Sequence, residues 1–321
     1  MILAGDVGAT KTLLEVGALR EGRWRPVFGK RYWAAEHEDF PAVLRAFLSE
    51  WAARRVRGRL TRACFGVAGP ESGNRVRMTN LPWRVDAKLI ARRFRIAQVR
   101  VVNDFAAAAT GIELLRPADL VTLQSGKPAP DAPRLVIGAG SGLGVAYLVR
   151  TAGRYRAIPG EGGHVGFAPS TPDQMDLWRY LHLRLDRVAA EDVVSGPGLV
   201  RIFEFLSGRE GTAAVPSGGA RSIAEGALER GDPLCMRSLD LFVSCFGAVA
   251  GDHALAVMAR GGVYVTGGIA PKILPRLASG GFCAAFDAKG DHADAARKMP
   301  IFVVTNERLG LLGSALIADA L

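Results

Sequence analysis

Gly5-Asp6-Val7-Gly8-Ala9-Thr10 closes the apolar run that begins at Met1, and Gly138-Ala139-Gly140-Ser141-Gly142-Leu143-Gly144 repeats that arrangement after residues 134–137. Each reads as a strand entering a tight glycine turn and leaving as another strand, residues 12–19 after the first and 145–149 after the second. Backbone N–H groups of such a turn converge on an anion, because no Cβ blocks the approach. One glycine turn taken alone reads as an ordinary hairpin. Two at equivalent places, joined by Thr266-Gly267-Gly268-Ile269-Ala270-Pro271, predict two similar halves with their turns facing one cleft.

Outward from the first turn, Glu21-Gly22 reads as the bend of a hairpin to residues 23–28. Asp39-Phe40-Pro41 opens a helix, with Asp39 as cap, Pro41 in the first turn, and Val43, Leu44, Phe47, Leu48 and Trp51 on one face. A buried strand at 60–68, a helix at 86–95, a strand at 99–102 and a helix at 103–114 give the order β-β-β-α-β-α-β-α. The polar, proline-bearing stretch 124–133 reads as a connection. Beyond it come strands at 134–137, 145–149 and 154–157, helices at 173–187, 198–206, 222–229 and 233–258, a strand at 263–266, a helix from about Pro271, a strand at 301–304 and a helix at 309–321.

Composition fits this reading. At 321 residues with 49% hydrophobic and 22% charged side chains, the chain can bury a large core, which excludes wholesale disorder. The 39 glycines follow no Gly-X-Y period, so a collagen is excluded too. A net charge of +10 raises the question of anionic partners. The arginines are dispersed, however, and the densest run, Arg54-Arg55-Val56-Arg57-Gly58-Arg59, has no interleaved aromatics for stacking bases. Nucleic acid is therefore not expected as a partner. Cys64, Cys235, Cys245 and Cys283 form no C-x-x-C, which argues against a disulfide framework and a cysteine zinc site and fits a reducing cytoplasm. The apolar stretch 241–259 is broken by Asp252 and His253, as in a buried helix, and no membrane association is expected.

Three places carry candidate chemistry. Asp6 would repel phosphate directly, yet could hold Mg²⁺ through water and so bridge to phosphate oxygens. Neither glycine turn is a Walker loop. Asp104, in Val102-Asn103-Asp104-Phe105, stands where a buried strand gives way to a helix, a usual place for reactive groups in α/β proteins. It reads either as the helix cap or, if Asn103 caps instead, as a carboxylate pointing into the cleft. Pro159-Gly160-Glu161-Gly162-Gly163-His164 presents a carboxylate and an imidazole to one small ligand. With no third ligand nearby it makes a weak zinc site and a better polyol site. Glu191 is either a further ligand or first-turn helix chemistry.

With Met78-Thr79-Asn80-Leu81-Pro82-Trp83, Ser195-Gly196-Pro197-Gly198 and Gly310-Leu311-Leu312-Gly313-Ser314 added, these motifs follow one another as in the bacterial ATP-dependent glucokinases of the non-repressor type. The whole chain resembles that family, part of the actin/hexokinase/Hsp70 ATPase superfamily. The resemblance implies an α/β fold of two actin-like (ribonuclease H-like) domains around a central cleft, residues 1–114 plus 305–321 forming the smaller and 115–304 the larger. It further implies ATP and Mg²⁺ as cofactors, D-glucose as substrate, a cytoplasmic homodimer, and domain closure that excludes water. Residue by residue, Asp104 looks like the catalytic base, with Asn103, Glu161, His164 and Glu191 as the other glucose ligands. Asp6, Gly8, Ala9 and Thr10 match the first phosphate turn, Gly140, Ser141, Gly142 and Gly144 the second, and Gly267 and Gly268 the adenosine side. Ala9 departs from the glycine common in the family. Repressor-type sugar kinases carry a cysteine-rich zinc motif that the four cysteines here cannot form. A polyphosphate-using or other hexose kinase of the same fold, or a non-catalytic sugar sensor, would share the same motifs.

Overall fold

The computed structural model describes residues 1–54, 58–211 and 214–321, so Arg55, Val56 and Arg57 of the arginine-rich run lie outside the described residues. The chain divides into two units, one made of Met1–Arg116, Tyr155–Pro159 and Asn306–Leu321, the other of Pro117–Arg154 and Gly160–Thr305.

The first unit is built on β1 (Ile2–Val7), β2 (Lys11–Arg20), β3 (Arg23–Trp33), β4 (Arg62–Val67) and β7 (Gln98–Asn103), in the sheet order β3-β2-β1-β4-β7. Its helices are α1 (Phe40–Ala53), α2 (Ala87–Phe94) and α3 (Asp104–Gly111), and a short hairpin, β5 (Arg75–Arg77) with β6 (Arg84–Asp86), precedes α2. Strands β1, β4 and β7 run parallel, whereas β1–β2 and β2–β3 are antiparallel hairpins. Because side chains alternate along a strand, Leu3, Val7, Phe65 and Val101 fall on one face and pack with Val43, Leu44 and Phe47 of α1. Ile2, Ala4, Cys64 and Val102 fall on the other and pack with Ala107 of α3 and with Leu311, Ala315 and Ala318 of the helix Leu309–Asp319. Asp6 continues the second set, and that places it.

In the second unit, β9 (Arg134–Ala139) and β10 (Leu143–Thr151) form the antiparallel hairpin around the second glycine turn. Strands β12 (Val263–Thr266) and β13 (Ile301–Val304) run parallel to β9 on its other side, and β8 (Leu120–Gln124) closes the edge antiparallel to β13. The strand β11 (Arg154–Gly160) belongs to this unit only at its ends. The helices are α4 (Pro172–His182), α5 (Ala190–Val193), α6 (Gly196–Glu210), α7 (Ala220–Leu228), α8 (Pro233–Val257), α9 (Leu274–Leu277), α10 (Gly281–Asp287) and α11 (Ala293–Arg297); Leu309–Asp319 is α12. Helix α8 is long and apolar enough to cross a membrane, but 72% of its apolar window is buried. Phe242 and Phe246 pack there against Phe282 and Phe286 of α10 in one core.

Several boundaries differ from the sequence reading. The helix expected at 173–187 ends at His182, because the N–H groups of Arg184 and Leu185 both turn back to the Leu181 carbonyl at 2.9 Å. The helix expected from Pro271 begins at Leu274, and the second turn narrows to 140–142 as β9 and β10 extend toward each other. Strands β5, β6 and β8 and helices α5, α10 and α11 are additions. Each is short, too short to show a period.

Candidate active site

In the first unit, the carboxyl ends of three parallel strands bring the predicted residues together. Asp6 pairs with Gly66 and Val67 with Asn103, so β1, β4 and β7 finish side by side. A Cβ at Gly66 would lie 3.5 Å from Asp104 Cα and 2.8 Å from the Ala107 methyl, so only glycine lets α3 start this close to β4. Ser314 of α12 locks the same place: its hydroxyl donates to the Gly5 carbonyl at 2.8 Å and accepts from Gly66 N–H at 3.1 Å.

Asn103 is the cap of α3. Its side-chain oxygen accepts the N–H groups of Phe105 (2.9 Å) and Ala106 (3.1 Å), while Nδ2 donates to the Gly69 carbonyl and to Asp104 Oδ1, both at 3.1 Å. An amide has two donors and two acceptor positions, and all four are engaged. Asp104 Oδ1 also accepts from Phe105 N–H at 2.9 Å, which fixes the carboxylate at the head of α3.

The first turn is closed by Gly8 N–H donating to the Lys11 carbonyl at 3.0 Å, and the Thr10 carbonyl accepts from Ala34 N–H at 2.9 Å. Ala9 does not adopt a left-handed φ, so its methyl does not strain the turn. The Asp6 carboxyl is pushed up to about 6, first by burial and next by the charge of Asp104, with Lys11 pulling the other way. Beside it is a cavity of about 100 Å³ lined by Asp6, Gly8, Lys11, Leu13, Arg31, Glu307 and Arg308. Three of these residues are cations. A partly buried carboxylate with a second acid near it fits a divalent cation held by one or two carboxylates and completed by water and phosphate oxygens. No cluster of three or more His, Cys, Asp or Glu able to cage a metal occurs among the described residues.

The second unit gathers the remaining predicted residues around the turn 140–142. Gly140 N–H donates to the Gly142 carbonyl at 2.8 Å, leaving Ser141 at the exposed tip, and Gly144 follows on β10 opposite Gly138. Gly267 stands at the end of β12 with φ of 89°, and a Cβ there would come within 2.3 Å of the Ala139 carbonyl oxygen. Gly268 next to it is exposed. Glu161 bridges to Val145 of β10, and a single 3₁₀ turn, Gly162–His164, leaves both Glu161 and His164 exposed. The Glu191 carboxylate accepts from Leu143 N–H at 2.7 Å. Ser195 caps α6 by accepting from Gly198 N–H at 3.0 Å, and Gly196 N–H donates to the Gly140 carbonyl at 2.8 Å. The Ser195-Gly196-Pro197-Gly198 motif is thus tied to the turn.

Sequence reasoning assigns Arg308 no role and His253 only that of a break in an apolar stretch. Arg308 sits at the start of α12 and Glu15 on β2, and no local pattern links them; Arg308 Nη2 reaches both Glu15 oxygens at 2.6 and 2.5 Å. His253, on α8, is buried among apolar residues and shares a 2.8 Å hydrogen bond between Nδ1 and the Tyr147 hydroxyl.

A family model described as Glucokinase matches residues 3–321. Curated glucokinases of a Nostoc species and of Synechocystis are 35% and 37% identical to this chain; they span 100% and 98% of it and 99% and 97% of their own lengths. Among solved structures, the glucokinase of an Antarctic psychrotroph covers 100% of this chain and 99% of its own, with a TM-score of 0.89 at 29% identity. The fold is that of the actin-like ATPases, in the form used by sugar kinases. The chain belongs to the glucokinase family, whose members are ATP-dependent hexose kinases.

Proposed function

We propose that the chain transfers the γ-phosphoryl group of ATP to the 6-hydroxyl of D-glucose, giving glucose 6-phosphate and ADP, the entry step of glycolysis, with Asp104 as the base. The placement of Asp104 carries this assignment: it heads a helix that Asn103 already caps, so its carboxylate is not needed to hold the helix end. Asp104 accepts the proton of the 6-hydroxyl as the oxygen attacks phosphorus, in line with the departing ADP. Asn103 orients Asp104 through Nδ2, and contacts the sugar only by giving up its bond to Gly69. Glu161, His164 and Glu191 receive the other hydroxyls, since a carboxylate and an imidazole both form directed bonds with a polyol.

Asp6, Gly8, Ala9 and Thr10 and the turn Gly140, Ser141, Gly142 and Gly144 face the phosphates, and Gly267 and Gly268 the adenosine. Asp6 would hold Mg²⁺ through water, and the ion would supply neutralisation of phosphate charge. The domains are read as residues 1–114 with 305–321 and residues 115–304. Four unbonded thiols fit a reducing, cytoplasmic setting, and the homodimer rests on the family resemblance. A coupled assay of glucose 6-phosphate formation, run with ATP or polyphosphate over a panel of hexoses, tests the reading. Turnover confined to ATP with glucose is expected. Turnover with polyphosphate alone would overturn the donor assignment, and the lack of any turnover would reduce the chain to a sugar binder.

A further inference from the structure

Glu191 touches the phosphate turn more closely than a sugar ligand needs to. Its Oε2 accepts Leu143 N–H at 2.7 Å, and a methyl placed on Gly142 would come within 2.3 Å of that same oxygen. The other oxygen, Oε1, makes no hydrogen bond within the described residues. The segment that carries Glu191 is wired in two directions. Ala190 N–H donates at 2.8 Å to the carbonyl of Val165, just past the Glu161–His164 loop. On the other side, the Ser195 hydroxyl donates to the Glu191 carbonyl at 2.7 Å, and Gly196 N–H donates to Gly140 at 2.8 Å. The segment from Ala190 to Gly196, α5 and the cap of α6, therefore links the sugar loop to the glycine turn, and the Glu191 side chain closes a second link to that turn.

We propose that Glu191 is a positioning residue that couples sugar binding to nucleotide binding: it fixes the turn 140–143 through Leu143 N–H while its free oxygen takes a sugar hydroxyl. This rests on the reading of Glu191 as a glucose ligand and of the turn as a phosphate cradle. A hydroxyl bonded to Oε1 restrains the carboxylate plane and with it the Leu143 N–H, so the turn's remaining N–H groups are held ready for phosphate. Coupling between two ligands is reciprocal and typically ~5–150-fold. Glucose therefore tightens nucleotide binding, and the nucleotide tightens glucose by the same factor.

The test is isothermal calorimetry of glucose and of a non-hydrolysable ATP analogue, each with and without the other, on the wild type, Gly142→Ala, Glu191→Ala and Glu191→Gln. Gly142→Ala replaces a turn residue and no proposed sugar ligand, yet it should weaken nucleotide-free glucose binding ~10-fold or more by displacing the Glu191 carboxylate. Glu191→Ala should weaken both ligands and erase their mutual tightening. Glu191→Gln, whose amide oxygen can still accept Leu143 N–H, should keep analogue binding close to wild type, a rescue that a general loss of fold would not give. The coupling is overturned if Gly142→Ala leaves glucose affinity unchanged and Glu191→Ala weakens glucose alone; the sugar-ligand reading then survives. It is equally overturned if Glu191→Ala weakens only the analogue, and in that case the sugar-ligand reading fails with it.

Discussion

Asp6 and Asp104 act on each other electrostatically across β4. Asp6 is the last residue but one of β1 and Asp104 the first residue after β7, on either side of it, and the negative charge of Asp104 adds to burial in holding the Asp6 carboxyl near 6. A ligand-free protein thus keeps an uncomfortable charge at the place where a divalent cation and phosphates would neutralise it. Tension of this kind is frequent where carboxylates are kept for function.

The sign of that effect gives the first prediction. Asp6 binds its proton more tightly in the folded chain than at its ordinary value of 3.8. Its contribution to stability is therefore full below about pH 4 and is lost as the pH rises through about 6. Asp6→Asn should be more stable than wild type at pH 7.5, by on the order of 1–3 kcal/mol, with the gap closing at pH 4. Mg²⁺-dependent turnover should fall severely while glucose affinity stays nearly unchanged. Thermal melts at the two pH values, with glucose calorimetry, check both halves.

Asp104→Ala should lose at least ~10²-fold in turnover, the lower end of what a general base contributes. The fold should hold, because the Asn103 side chain accepts the N–H groups of Phe105 and Ala106 by itself. Assays at saturating glucose decide the role: recovery of wild-type turnover there would make Asp104 a ligand only.

Arg308→Ala would leave the Glu15 carboxylate, 8% exposed, with Trp24 Nε1 at 2.7 Å as its remaining side-chain partner among the described residues. Removing one side of a buried pair costs roughly 3–5 kcal/mol, and since Arg308 itself reaches solvent a loss of about 1–3 kcal/mol is expected. Urea unfolding measures it. Arg308→Ala with Glu15→Gln should recover most of the loss, because the charge is then gone.

His253 is buried and its pKa is lowered, chiefly by burial. It folds neutral, so its contribution to stability is present above its ordinary value of 6.5 and lost as the pH falls through its depressed one. His253→Gln should flatten the stability profile below about pH 6.5. An unchanged acid limb in urea titrations would show that His253 does not govern it.

The parts of the fold legible from sequence were those with local signals. The two hairpins announced themselves through alternation into glycine turns, α1 through Asp39 and Pro41, and α8 through a long apolar stretch broken only by Asp252 and His253. Strand β8 gave no such signal, being half-buried at a sheet edge with no clean alternation. Among the site residues, Asn103 and Asp104 could be read either way until the amide was seen to take both N–H groups of the helix start. Glu191 was legible as either a further ligand or first-turn helix chemistry, but its bond to Leu143 joins segments that only tertiary packing brings together. The Glu15–Arg308 pair was invisible for the same reason.

Helix α12 has a consequence for how the protein comes off the ribosome. It covers one face of the first unit's sheet, through Leu311, Ala315 and Ala318, and Ser314 fastens β1 to β4. Yet it is translated after every residue of the second unit. During synthesis the N-terminal sheet must wait with the face of Ile2, Ala4, Cys64 and Val102 covered by α3 but not by α12, while most of the second unit, from Gly160 to Thr305, emerges as one continuous stretch. Nascent chains of this protein will therefore carry an open apolar surface for most of their elongation, the kind of surface that chaperones hold. A stop codon placed just before Leu309 would make that exposure permanent.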